Sequence, residues 1–196
     1  MVEPRNRPVL RAPVASHSLG PVTRPLVHLE ASSAQTPGEV RYLSRLDSLL
    51  SAALAGRVDP SEVGSIQYGG VLMWLAVPGV PDGESPVISN QLQVLNNAQL
   101  LGAYWGCSHP WDDYDEQDLE HLSVPVSDVA PEDAAKRAAQ WLTAQLRRPL
   151  VRQEWDRRGG SAARRWVLTD TGRVLGSRGW MFRHGRRAPD RVVPLT

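Results

Sequence analysis

The chain has 196 residues, 41% of them hydrophobic, enough to build one domain around a sizeable core; its longest apolar stretch, Val71 to Val77, falls far short of the ~20 residues a membrane span needs. Cys107 is the single cysteine, which excludes an intrachain disulfide and a thiolate zinc site. The net charge of +1 conceals three blocks: +2 over residues 1–38, −10 over 39–145, where five basic side chains face 15 acidic ones, and +9 over 146–196, where 13 Arg face four acids. Such segregation steers charged partners and points to association rather than to a fold.

Residues 1–36 mix Pro, Ser, Arg and short apolar groups without helical or strand period, the composition of a flexible or extended arm. The first 30 residues hold no continuous apolar core, and Pro4, Pro8, Pro13, Pro21 and Pro25 interrupt any targeting helix, so the expectation is a cytoplasmic protein. Lys136 is the sole lysine beside 21 arginines, which reads as the base composition of a GC-rich bacterium. The rest of the chain, 37–196, is expected to form a single α+β domain.

Thr36-Pro37-Gly38-Glu39 has the layout of a capping box and opens a helix over about 37–55, with Val40, Leu43, Leu50 and Leu54 on one stripe, Leu46 and Leu49 beside it, and Gly56 as the stop. From Val63 to Trp105 short apolar clusters are parted by Gly69-Gly70, Pro78 to Pro81 and Asn96-Asn97, the pattern of antiparallel strands. Val71 to Val77 reads as a strand buried on both faces, and Leu92 to Trp105 as a hairpin turning at the two Asn. Residues 107–121 form an acidic loop studded with aromatics, and Val124 and Val126 add a short strand. A second helix opens on Pro131, Glu132 and Asp133 and closes on Arg147 and Arg148, acids at its positive end and bases at its negative end. Ala135, Ala138, Ala139, Leu142 and Leu146 make its apolar face, Ala134 and Trp141 widen it, and Pro149 ends it. Leu150 to Trp155, Arg165 to Leu168 and Arg173 to Leu175, separated by Gly159-Gly160 and Asp170-Thr171-Gly172, predict a basic three-stranded meander. The fold expected is two helices packed on a mostly antiparallel sheet, behind an extended Pro-rich arm.

No catalytic constellation stands out. The acidic run lacks the alternate ligand positions and the bend Gly of a calcium loop, since Gln117 and Asp118 occupy those places, and His17, His28, His121 and His184 have no His-x-x-x-His spacing, so neither metal nor cofactor is expected. Trp111 and Tyr114 among Asp112, Asp113, Asp115, Glu116 and Asp118 supply rigid aromatic anchors in an acidic patch, the makeup of a surface that captures a basic protein. Cys107 and His109, two apart, could share a strand face as a thiolate and imidazole, yet the carboxylates nearby work against a thiolate and a small core cysteine is the expected state. Asp170-Thr171-Gly172 has the letters of the aspartic-protease triplet but occurs once, lacks the small residues that follow it there, and is an ordinary turn between strands. The alternative to protein capture is nucleic-acid binding by Arg157, Arg158, Arg164, Arg165, Arg186 and Arg187, interleaved with Trp155, Trp166, Trp180 and Phe182. Against it stands an internal reading, in which the +9 block faces the acidic middle of the same chain.

Residues 122–155 run as a short apolar segment, an Ala-rich helix, Leu-Arg-Arg-Pro and a strand ending in Trp155; with the Leu-rich first helix and Gly102-Ala-Tyr-Trp-Gly106, this layout resembles that of immunity proteins from bacterial polymorphic toxin systems. The resemblance covers about half the chain and departs in the long arm and the basic meander. It implies a small cytoplasmic inhibitor without cofactor or catalysis that blocks a toxin domain by binding it, with the loop from Asp112 to Glu120 as the binding surface.

Overall fold

A computed structural model describes residues 36–54, 63–68, 72–78, 91–97, 99–106, 114–127, 129–156, 163–179 and 187–195. Helix α1 (Pro37–Leu54) is followed by strands β1 (Gly64–Tyr68), β2 (Leu72–Pro78), β3 (Gln91–Asn97), β4 (Leu100–Gly106) and β5 (Leu122–Pro125), then by helix α2 (Pro131–Leu146) and strands β6 (Leu150–Trp155), β7 (Ala163–Leu168), β8 (Val174–Arg178) and β9 (Arg191–Pro194). The α+β class is as expected, but the strands form two antiparallel sheets: sheet A in the order β1-β2-β3-β4-β5 and sheet B in the order β8-β7-β6-β9. The basic meander gains a fourth strand, β9, which returns along the free edge of β6. Among the described residues no helix is long and apolar enough to cross a membrane. The arm, the stop at Gly56, the turns at 69–70 and 159–160 and the side chains of the 71–77 segment lie outside the described residues.

The capping box forms as the sequence implies. Glu39 N–H donates to Thr36 Oγ1 at 3.2 Å and Thr36 N–H donates back to a Glu39 carboxylate oxygen at 3.3 Å, satisfying two of the donors a helix start leaves open. The stripe is rotated from the expected one: Tyr42, Leu43, Leu46, Leu50 and Leu54 are buried, whereas Val40 is exposed. Leu43, Leu46, Leu50 and Leu54 are as expected, and the Tyr42 ring takes the edge of the face that Val40 was expected to fill. Helix α2 buries Ala134, Ala135, Ala138, Ala139 and Leu142. Its last turn holds no basic residue; Arg147 is the C-cap and Arg148 lies beyond it, turned toward carboxylates instead of the helix end. The leucine-rich face of α1 and the alanine-rich face of α2 belong to one core, and the helices are tied by Arg41 to Glu132 at 3.1 Å.

One cluster of buried side chains joins both helices to Leu92, Val94, Leu101, Ala103, Trp105 and Val124 of sheet A and to Leu150, Trp166, Leu168 and Leu175 of sheet B. Strand alternation puts Gln93, Leu95 and Tyr104 on the opposite face of sheet A, where they are also buried. The β3–β4 hairpin turns on Asn97, whose Oδ1 accepts from the backbone N–H of Gln99 at 2.8 Å and of Leu100 at 2.7 Å. An asparagine carboxamide thus replaces a missing rung of the ladder.

Candidate functional site

The described part of the acidic loop, residues 114–121, is braced from within. Asp115 Oδ1 accepts from Gln117 N–H at 2.8 Å and Asp118 Oδ1 from Glu120 N–H at 2.9 Å, two successive Asx turns, while Asp118 N–H and His121 N–H close on the carbonyls of Asp115 and Asp118. The spacing Asp115-x-x-Asp118 produces this: each short carboxylate folds onto the amide two residues ahead. Beneath the turns Tyr114 and His121 stack with ring centroids 5.8 Å apart, and both pack on Tyr104, whose hydroxyl donates to Gln93 Oε1 at 2.7 Å. The loop is therefore anchored to the back face of sheet A through aromatic contacts. Asp115 N–H donates to His121 Nδ1 at 3.1 Å, and His121 Nε2 lies 3.3 Å from Asp118 Oδ2. Burial pushes the Tyr114 hydroxyl above its ordinary range, against a lowering hydrogen bond with Ser123 and with Glu116 and Asp115 adding to the rise.

At the loop's base Glu120 meets the basic block. Arg148 donates to both Glu120 oxygens, at 3.3 and 3.2 Å, and forks onto Asp170 at 2.8 and 3.0 Å, while Arg173 reaches Glu120 at 3.1 Å and comes within 3.7 Å of Asp118. Arg148 also binds Thr171 Oγ1 and Gln145 Oε1, and Gln145 Oε1 accepts from Trp105 Nε1 at 2.9 Å. A single guanidinium thus connects the acidic loop, the end of α2 and the β7–β8 turn. Its hydrogen bonds hold the carboxyls of Glu120 and Asp170 below the usual range, burial opposing, and Arg148 is in turn raised above its own by Asp170 and then Glu120. Asp170-Thr171-Gly172 forms the turn between β7 and β8, with Gly172 at φ 75 and the Asp170 carboxylate occupied by Arg148.

The candidate site residues fall into three groups. Tyr114, Asp115 and Asp118 lie in the loop but act as its framework. Glu116 is exposed on it, next to Gln117 and to Leu119, whose side chain is fully exposed at 101%. Trp111, Asp112, Asp113, Cys107 and His109 lie outside the described residues, as do Arg157, Arg158 and Arg186. Of the arginines expected to meet nucleic acid, Arg164 lies 3.9 Å from Glu154, Arg165 stands 5.4 Å over the Trp155 ring, and Arg187 pairs with Asp190. Sequence reasoning overlooked Leu119, which follows Asp118 and falls inside the Asx turn that Asp118 makes with Glu120, where it is fully exposed. It also left Arg148 as a helix terminator, since only the tertiary fold brings Asp170 to it. Among the described residues no group of three His, Cys, Asp or Glu could hold a metal ion. A scan against protein-family models and searches of curated proteins and solved structures found no match.

Proposed function

We propose that the chain is a non-enzymatic protein-binding module of the bacterial cytoplasm, an immunity or regulatory protein that captures a basic partner through the acidic loop. The observation that carries this reading is Leu119, a wholly exposed leucine in a loop whose described part is braced by hydrogen bonds and carries Asp115, Glu116, Asp118 and Glu120 around it in the sequence. Exposed leucines are common, but one set inside the Asx turn of Asp118, in a loop anchored by the stacked Tyr114–His121 pair, offers an apolar anchor at low entropic cost within a field that attracts cations. Asp115 and Asp118 shape the loop, so Glu116 and Leu119 are the cleaner probes of contact.

The test is quantitative affinity capture from a lysate of the source cells, with wild type, Leu119→Asp and Glu116→Lys immobilised at equal loading. The expected result is a basic protein held by wild type and weakened about tenfold or more by each substitution. Capture of the same proteins at the same level by all three forms would remove the loop as the binding surface.

A further inference from the structure

Leu150, Trp166 and Leu168 of sheet B point into the core, so the residues alternating with them on β6 and β7 point away from it. On that outer face the register aligns Pro194, Val151, Val167 and Val174 as one apolar rung across all four strands. The next rung on the same face reads Val192, Gln153, Arg165 and Ser177. With strands about 4.8 Å apart, each rung spans about 14 Å. The middle of the apolar rung is the better covered, Val151 being half-buried and Val167 buried, while its ends, Val174 and Pro194, are exposed. Val174 at 49% and Val192 at 51% are two of the four large hydrophobic side chains left exposed among the described residues.

Arg165 is the only ionisable side chain on these two rungs. It stands 5.4 Å over the ring of Trp155, and among the described residues it makes no ion pair. An aromatic face attracts a guanidinium without accepting its N–H groups in ordinary hydrogen bonds, so Arg165 keeps donors for a carboxylate. The occupant that complements this face is an apolar side chain within short reach of an acid. The acidic loop carries that combination: Leu119 is fully exposed, and Glu116, three residues before it, is exposed and makes no ion pair among the described residues. Because Leu119 is fully exposed, the loop does not fill the face of its own chain. Two copies meeting face to face would oppose surfaces whose only charges are both positive, which disfavours that arrangement.

We infer that the outer face of sheet B docks the acidic loop of a second copy of this chain, with Leu119 on the valine rung and Glu116 paired with Arg165. The inference rests on the reading of the loop as a contact surface and gives that surface an occupant: while two copies hold each other, Leu119 is withdrawn from a foreign partner. The contact is heterologous, since loop and face are different surfaces. One loop on part of one sheet is smaller than a standard interface, so the association is weak, with a Kd on the order of 100 µM.

The experiment is sedimentation equilibrium of the full chain at low salt, over a concentration range bracketing about 100 µM. Wild type should rise above the monomer mass as concentration increases, whereas Leu119→Asp and Arg165→Glu should each associate about tenfold or more weakly. An equal mixture of these two variants should associate again, because the first keeps an intact face and the second an intact loop; misfolding of either could not produce that rescue. Glu116→Arg combined with Arg165→Glu should likewise recover association that each change alone removes. The inference is overturned if wild type stays monomeric, if Arg165→Glu associates as wild type does, if the mixture stays monomeric, or if Leu119→Asp alone forms the same dimer, which would make the contact face to face. A monomeric wild type that still captures a basic protein through Leu119 overturns this inference and leaves the proposed function standing. Self-association with the expected rescue, beside lysate capture unchanged by Leu119→Asp, supports the inference and removes the foreign basic partner.

Discussion

Arg148 shows how much of this molecule's organisation can rest on one side chain. Its guanidinium is 13% exposed and serves Glu120, Asp170, Thr171 and Gln145 together, so its loss would strand two carboxylates placed to receive it. Breaking a well-buried ion pair costs about 3–5 kcal/mol, whereas exposed pairs give under about 1. Glu120 and Asp170 are 28% and 38% exposed, so Arg148→Met should lower stability by an intermediate amount, about 1–3 kcal/mol, measured by urea unfolding near neutral pH. A cost below about 0.5 kcal/mol would show that water replaces the guanidinium freely. In the sequence Arg148 is one of a pair of arginines closing a helix, and nothing there distinguishes it from Arg147. Leu119 was equally silent, because exposure is a property of the folded loop rather than of the residue.

At the scale of elements, local chemistry was the most readable. Thr36, Pro37 and Glu39 specify the start of α1 by contacts no more than three residues apart, and replacing Thr36 with Ala should cost about 1 kcal/mol in thermal or chemical unfolding. An unchanged midpoint would mean that α1 is held by its buried face alone. Asn97 and Gly172 likewise announce turns that the structure contains. Strand β9 was not legible: Arg191–Pro194 is four residues long, follows Pro189-Asp190 and ends in proline, and only its pairing with β6 makes it a strand. The same pairing brings Arg191 to Glu154, so the charge environment of sheet B was hidden with it.

For the whole molecule, the opposed charge blocks partly answer one another. Arg148 and Arg173, from the basic block, hold Glu120 and Asp118 from the acidic one, whereas Arg178 and Glu116 make no ion pair among the described residues. The ion pairs carry a pH signature. Glu120, Asp170 and Glu154 have carboxyls depressed in the folded state, so their contribution is complete above the ordinary carboxylate range and disappears as pH falls through the lower folded values. Urea unfolding from pH 7 to about 2.5 should show stability falling below about pH 4, with a shallower fall in Arg148→Met, where Glu120 and Asp170 have lost the hydrogen bonds that depress them. Equal slopes in the two proteins would assign the acid sensitivity elsewhere. Salt should reduce the share owed to Asp170, the most exposed of the three.

The sequence by itself determined the two helices, their order among the strands, the capping box, the two turns and the segregation of charge, because each depends on periodicity or on contacts between near neighbours. Only the tertiary structure decided that the strands divide into two sheets, that β9 closes on β6, that Asp115 and Asp118 spend their carboxylates on turns, and that Arg178 faces Arg164. Those outcomes depend on strand register and on groups tens of residues apart, and a one-residue change of register would send every such side chain to the other face.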